Sequence, residues 1–153
     1  MTEKSKKILS ELDPMAIPRF NEFIKKLDKE LGDDKYIIFE GLRKIEVQEA
    51  YYAQGREPVE KVNKLRKKAG LWLLRTHDDN GNLINHKIIT WTLQSKHIDG
   101  FAMDVLPVDG SGNPTWDLAH YYNYFKIIRD CGRAVGLICG ASWNPPDWPH
   151  YEI

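Results

Sequence analysis

The sequence predicts an α+β domain, and three observations carry that reading. Phe20, Phe23, Ile24, Leu27 and Leu31 recur at three- and four-residue steps between Pro18 and Leu31, which is one face of an amphipathic helix. Short apolar runs of strand length, Tyr36 to Phe39, Phe101 to Leu106 and Ala134 to Cys139, alternate with such helical stretches. The length of 153 residues, a hydrophobic share of 42% and five tryptophans suit one domain with a real core.

The elements follow in chain order. Ser5 to Glu11 reads as a short helix, interrupted by Asp13-Pro14 and Pro18, because proline cannot donate to a helix interior. The amphipathic helix then runs to Leu31, where Gly32 ends it. Tyr36 to Phe39 is a strand, followed by Glu40-Gly41-Leu42-Arg43 and a helix from Lys44 to Gln54. Glu57 to Ala69 is helical and highly charged, with Val59, Val62 and Leu65 on one side. Leu71 to Thr76 and Leu83 to Thr90 flank Asp78-Asp79-Asn80-Gly81-Asn82, in which Asn80-Gly81 is a hairpin signal. Phe101 to Leu106 alternates in strand fashion, placing Ala102, Asp104 and Leu106 on one face. Trp116 to Gly132 is a long helix, Ala134 to Cys139 a strand, and Ser142-Trp143-Asn144-Pro145-Pro146 a stiff loop. No internal repeat or interdomain linker interrupts the chain.

The totals exclude some partners. Twenty-two basic and 22 acidic side chains give zero formal charge, so nothing favours nucleic acid. No run approaches transmembrane length, and Met1 to Asp13 lacks the apolar core of a secretory signal. The chain is therefore expected to be made in the cytoplasm, without stable membrane insertion, and to act as a monomer. Cys131 and Cys139 form no zinc-ribbon spacing and read as buried thiols. Asp109-Gly110-Ser111-Gly112-Asn113-Pro114 is a surface loop; its oxygens allow calcium, but it lacks the EF-hand pattern.

The chemistry concentrates in Ser95-Lys96-His97-Ile98-Asp99-Gly100-Phe101-Ala102-Met103-Asp104 and in Asp147-Trp148-Pro149-His150. His97, Asp104 and His150 offer two imidazoles and a carboxylate, a donor set that suits a catalytic zinc with a fourth corner for water. Asp147 lies close enough to His150 in sequence to handle protons at the same site. Gly100 permits a sharp reversal after His97, and Pro149 stiffens the link from Asp147 to His150. Trp143 or Trp148 walls the cleft in this reading, with plain packing as the alternative. His77, His86 and His120 read as exposed or packed side chains.

Ser-x-His-x-x-Gly-x-Ala-x-Asp at 95–104, followed by Asp-x-Pro-His-x-Glu at 147–152, resembles the zinc D-alanyl-D-alanine carboxypeptidase and L-alanyl-D-glutamate endopeptidase family. That family includes vancomycin-resistance dipeptidases and phage endolysins. The resemblance extends to Gly41-Leu42-Arg43, Gln48 and Tyr52 to Arg56. It implies His97, Asp104 and His150 as ligands of one zinc ion per chain, and Asp147 as catalytic carboxylate. It also implies that Arg43 binds a substrate carboxylate or the oxyanion, with Gln48 and Ser95 beside the substrate; the alternatives are an ordinary surface salt bridge for Arg43, and for Gln48 and Arg56 the ordering of the helix and the following turn. Glu152 is expected to orient a ligand histidine. Ile89-Thr90 holds the place of the family's Val-Thr strand, so much of 57–87 reads as an inserted helix and hairpin within a single domain, 1–153.

The fold so implied is a small, mainly antiparallel sheet with surrounding helices, of the kind hedgehog domains share. The activity implied is hydrolysis of peptidoglycan stem peptides. An L-alanyl-D-glutamate endopeptidase serving as a phage endolysin, acting on the cell wall after release, leads the alternatives. Its rivals are a D,D-carboxypeptidase or dipeptidase, and a zinc-holding module without catalysis. Some family endolysins also use calcium.

Overall fold

Four short strands, β1 (Tyr36–Glu40), β2 (Ala102–Pro107), β3 (Ile138–Cys139) and β4 (His150–Glu152), form one antiparallel sheet in the order β1-β2-β4-β3. They belong to the first of two units in this computed structural model, which describes residues 1–153: Met1–Leu42 with Asp99–Ile153, and Arg43–Ile98. The expected α+β class with an antiparallel sheet is what the chain adopts.

Three helices accompany the sheet: α1 (Glu3–Ser10), α2 (Ile17–Glu30) and α5 (Leu118–Ala134). The hydroxyl of Thr2 caps α1 by accepting from Ser5 N at 3.1 Å, and Asp117 caps α5 by accepting from His120 N at 3.1 Å. Each cap satisfies a backbone donor that the first helical turn leaves open. Pro18 sits in the first turn of α2, where its missing N–H costs nothing. The apolar face of α2 buries Phe20, Phe23, Ile24 and Leu27 against Ile38, Met103, Val105, Ile128 and Tyr151. Each such side chain contributes about 1.5–3 kcal/mol relative to exposure.

The strand pattern read from the sequence holds in β2. Met103 and Val105 join this core, and Asp104 lies between them. Beside Asp104 the pairing with β1 slips: Ile38 faces Val105 and Glu40 faces Asp104, leaving Phe39 as an extra residue. Such a bulge bends its strand and re-aims the side chains around it.

The second unit holds α3 (Ile45–Ala53) and α4 (Val59–Lys68). Leu71 to Thr76 and Leu83 to Thr90, expected as strands, form no ladder beyond an isolated bridge of His77 to Leu83. Side chains take the place of a partner strand. Asn63 exchanges two hydrogen bonds with Leu74, at 2.8 and 2.9 Å. Arg66 donates to Trp72 O at 2.8 Å, and Gln54 to Lys87 O at 3.2 Å.

The hairpin at Asn80-Gly81 is wider than its dipeptide suggests, and it occurs twice. In Asp78–Asn82 the first aspartate's Oδ1 accepts from the N–H groups of Asn80 and Asn82, both at 2.9 Å. In Asp109–Asn113 the same oxygen accepts from Ser111 and Asn113, at 2.8 and 2.9 Å. Gly81 and Gly112 both take positive φ, near 80°, which glycine adopts without strain. The shared pattern Asp-x-Ser/Asn-Gly-Asn was legible but unread. It also removes support for calcium at Asp109, whose Oδ1 closes its own turn.

Tyr151 is fully buried, its ring 4.8 Å from that of Phe23, and its hydroxyl has no hydrogen-bond partner. A buried, unsatisfied hydroxyl costs roughly 1–3 kcal/mol. Tyr151→Phe is therefore expected to raise stability by about 1 kcal/mol, read as a higher urea midpoint at unchanged slope; a lower midpoint would show that the hydroxyl is satisfied in solution.

Candidate metal centre

The centre begins with backbone pairing. β2 and β4 bring Asp104 opposite His150, although they lie far apart in the chain. Asp104 Oδ1 and His150 Nδ1 are 3.4 Å apart. That is long for an N–H···O hydrogen bond. It does equal the edge of a tetrahedron whose arms are 2.0–2.2 Å, roughly 3.3–3.6 Å.

Glu152 orients the ring from its other side. Its Oε2 lies 2.9 Å from His150 Nε2. Both residues occupy the same face of β4 because side chains alternate along a strand, with Tyr151 between them in the core. An imidazole that gives its Nε2 proton to Glu152 keeps a bare Nδ1, which is the atom facing Asp104. A lone pair and a carboxylate oxygen at this distance call for a cation between them.

His97 supplies the third donor. His97, Asp104 and His150 each offer a ligand atom, and these atoms all lie within 4.8 Å of one another. His97 is 1% exposed and His150 5%. A tight local turn presents His97: Ser95 Oγ accepts from His97 N at 3.3 Å, and Ser95 O from Ile98 N at 2.9 Å. Two imidazoles and one carboxylate at this spacing fit zinc; the rule that structural sites are closed and catalytic ones open leaves a corner for water.

The ring also competes for protons. Burial pulls the pKa of His150 down, but Asp104 and Glu152 outweigh it, with Asp147 adding, and the net direction is up. A raised pKa keeps the ring protonated to higher pH, and a protonated ring cannot bind metal. In metal-free protein, this ring's contribution to stability is present below the ordinary imidazole pKa and is lost as pH rises through the raised one.

The Asp147 segment is a connection between β3 and β4 that begins with a short 3-10 turn, Gly140–Ser142. Gly140 O accepts from Trp143 N and from Asp147 N, both at 2.9 Å. A Cβ on Gly140 would run into the Asp147 carbonyl and crowd Asp147 Cβ and His150 Cβ. Only glycine lets the loop pass this closely, a requirement the sequence reading did not identify. Asp147 is solvent-exposed. Trp143 lies over His150 with ring centroids 4.8 Å apart. Trp148 instead packs edge-on against Tyr122 and Phe125, under Arg129.

Two residues expected beside substrate have other duties. Gln48 is 0% exposed. Its Oε1 accepts from Arg43 Nη1 at 2.7 Å, and its Nε2 donates to Thr92 O at 2.7 Å and Thr90 Oγ1 at 3.2 Å. These bonds tie the buried Gln48 amide to the Arg43 guanidinium and to the 90–92 backbone. Arg43 also stacks over Tyr51, 5.1 Å from its ring centroid, and donates its backbone N–H to His97 O at 2.9 Å. The hydroxyl of Ser95 serves the His97 turn. His77 is exposed, His86 Nε2 contacts Arg75 O at 2.8 Å, and His120 pairs with Asp117 at the surface. Cys131 and Cys139 are free and buried, and burial pushes both thiols up.

Residues 89–153 match the family model described as D-alanyl-D-alanine carboxypeptidase. The matched segment contains His97, Asp104, Asp147, His150 and Glu152, but not Arg43 or Gln48. Among solved structures, the chain is similar to the L-Ala D-Glu endopeptidase ChiX of Serratia marcescens, at 18% identity and TM-score 0.54. That alignment covers 100% of this chain and 88% of the other. The D,D-pentapeptidase VanY of a VanB-type vancomycin resistance cassette, in complex with Zn(II), aligns at 16% identity and TM-score 0.46, covering 92% and 71%. VanYB in complex with D-alanine-D-alanine aligns at 17% and 0.48, covering 92% and 70%. Curated protein sequences give no match. Over residues 89–153, less than half of its length, the chain is similar to the D-alanyl-D-alanine carboxypeptidase family, and over its whole length its fold is similar to that of an L-Ala D-Glu endopeptidase.

Zinc affinity is expected to fall as pH drops through the raised pKa of His150, approaching tenfold per unit below it, because the proton must leave that ring before the metal binds. Competition against a chromophoric chelator measures it; affinity independent of pH would remove the histidines from the ligand set.

Proposed function

We propose that this protein is a peptidase that hydrolyses a peptide bond in peptidoglycan stem peptides, and that it cuts internally, between L-alanine and D-glutamate. The observation that carries the reading is the exposed carboxylate of Asp147, anchored through Gly140 in the same loop that ends at His150. Support for an internal cut is the full-length likeness in fold to an L-Ala D-Glu endopeptidase. The description of the matched family favours a second reading, removal of terminal D-alanine.

Zinc, when bound by His97, Asp104 and His150, supplies a Lewis-acid charge that eases both water ionisation and carbonyl polarisation. Asp147 takes the proton from the attacking water and returns it to the departing amine, so water adds across the C–N bond and no proton is lost. Arg43 stabilises the oxyanion with a guanidinium that stays charged throughout. Gln48 fixes that guanidinium, and Glu152 fixes the His150 ring. A role in phage lysis adds that the enzyme reaches the wall after release from the cytoplasm.

Mass spectrometry of digested peptidoglycan tests the assignment. The expected products are stems cut between residues one and two, abolished by chelation; loss of terminal D-alanine alone would establish the second reading. Asp147→Asn is expected to keep its zinc and lose at least a hundredfold in turnover, about the scale of general acid–base catalysis. Unimpaired turnover in that variant would free Asp147 of the role.

A further inference from the structure

We propose that Trp143 determines specificity, its exposed indole face receiving the apolar side chain of a substrate residue next to the scissile bond. The inference rests on the peptidase reading and names a contact that this reading leaves open.

Trp143 is 40% exposed, although its ring lies against His150 at 4.8 Å with the planes inclined by 44°. An indole left half open against His150 offers apolar surface where the other neighbours of that imidazole, Asp104, Glu152 and Asp147, are acidic. Those carboxylates suit the ion and the proton, and they give nothing to a methyl group. The backbone that carries the ring is anchored as well: the main-chain N–H groups of Trp143 and Asp147 both donate to the Gly140 carbonyl at 2.9 Å, so the indole and the carboxylate are carried on backbone held by one acceptor.

Trp148 provides the internal contrast. Tyr122, Phe125 and Arg129 surround it, so its ring is a packing element. The chain therefore places one tryptophan of the loop in the fold and leaves the other facing outward. A rigid aromatic face discriminates a methyl-bearing residue from glycine at a cost of little side-chain entropy.

The test uses zinc-loaded full-length protein and stem peptides in which D-glutamate follows the scissile bond and the residue before it is L-alanine or glycine. The wild-type protein is expected to favour alanine by roughly tenfold in kcat/KM at that position. Trp143→Ala is expected to bring that ratio to about one at equal zinc content, and Trp143→Phe to keep most of it. A ratio unchanged in Trp143→Ala overturns the inference. Parallel loss of zinc affinity and activity at constant ratio also overturns it, since Trp143 would then only support His150. If the wild-type protein cleaves none of the peptides, the stem-peptide reading itself falls and takes this inference with it.

Discussion

The pairing of β2 with β4 is the constraint on which the centre depends. It sets Asp104 opposite His150, and the register is enforced by what lies on the other face. Met103 and Val105 flank Asp104 in the core, and Tyr151 separates His150 from Glu152. Because side chains alternate, a one-residue slip would carry Tyr151 out of the core and the ligands into it. The apolar residues thus hold the polar ones in place, at a cost of several kcal/mol for such a slip.

The electrostatics follow from that register. A carboxylate, an imidazole and a second carboxylate follow one another: Asp104, His150 and Glu152. Burial disfavours charge on the imidazole, yet two acidic neighbours overcome it. The site is poised for a cation of either kind, a proton or a metal. The same donors satisfy both, which couples occupancy to pH. An anchored loop presents Asp147 in the same unit; within the second unit, a tight turn holds His97 and a buried amide fixes Arg43.

Much of this was legible in the sequence because it is local or periodic. The helix faces of α2 and α5 follow from spacing, and the alternation in β2 placed Asp104 apart from Met103 and Val105. The donors were legible as residue types in a recognisable order. What escaped was tertiary. Gly140 gives no sign of its role until a loop passes over it. The strands expected in 71–90 were overridden because Asn63, Arg66 and Gln54 satisfy the backbone that a neighbouring strand would have paired. Both aspartate turns lie where the sequence signals turns, and the likeness between them rests on a five-residue pattern rather than on the Asn80-Gly81 dipeptide.

The central claim is that His97, Asp104 and His150 hold one zinc ion with room for water. X-ray absorption on the zinc-loaded protein tests it most directly. The account predicts nitrogen and oxygen scatterers at about 2.0–2.2 Å, imidazole features from two rings, and no sulfur. A scatterer near 2.3 Å, the distance of a zinc–thiolate bond, would move the metal to the cysteines and contradict it.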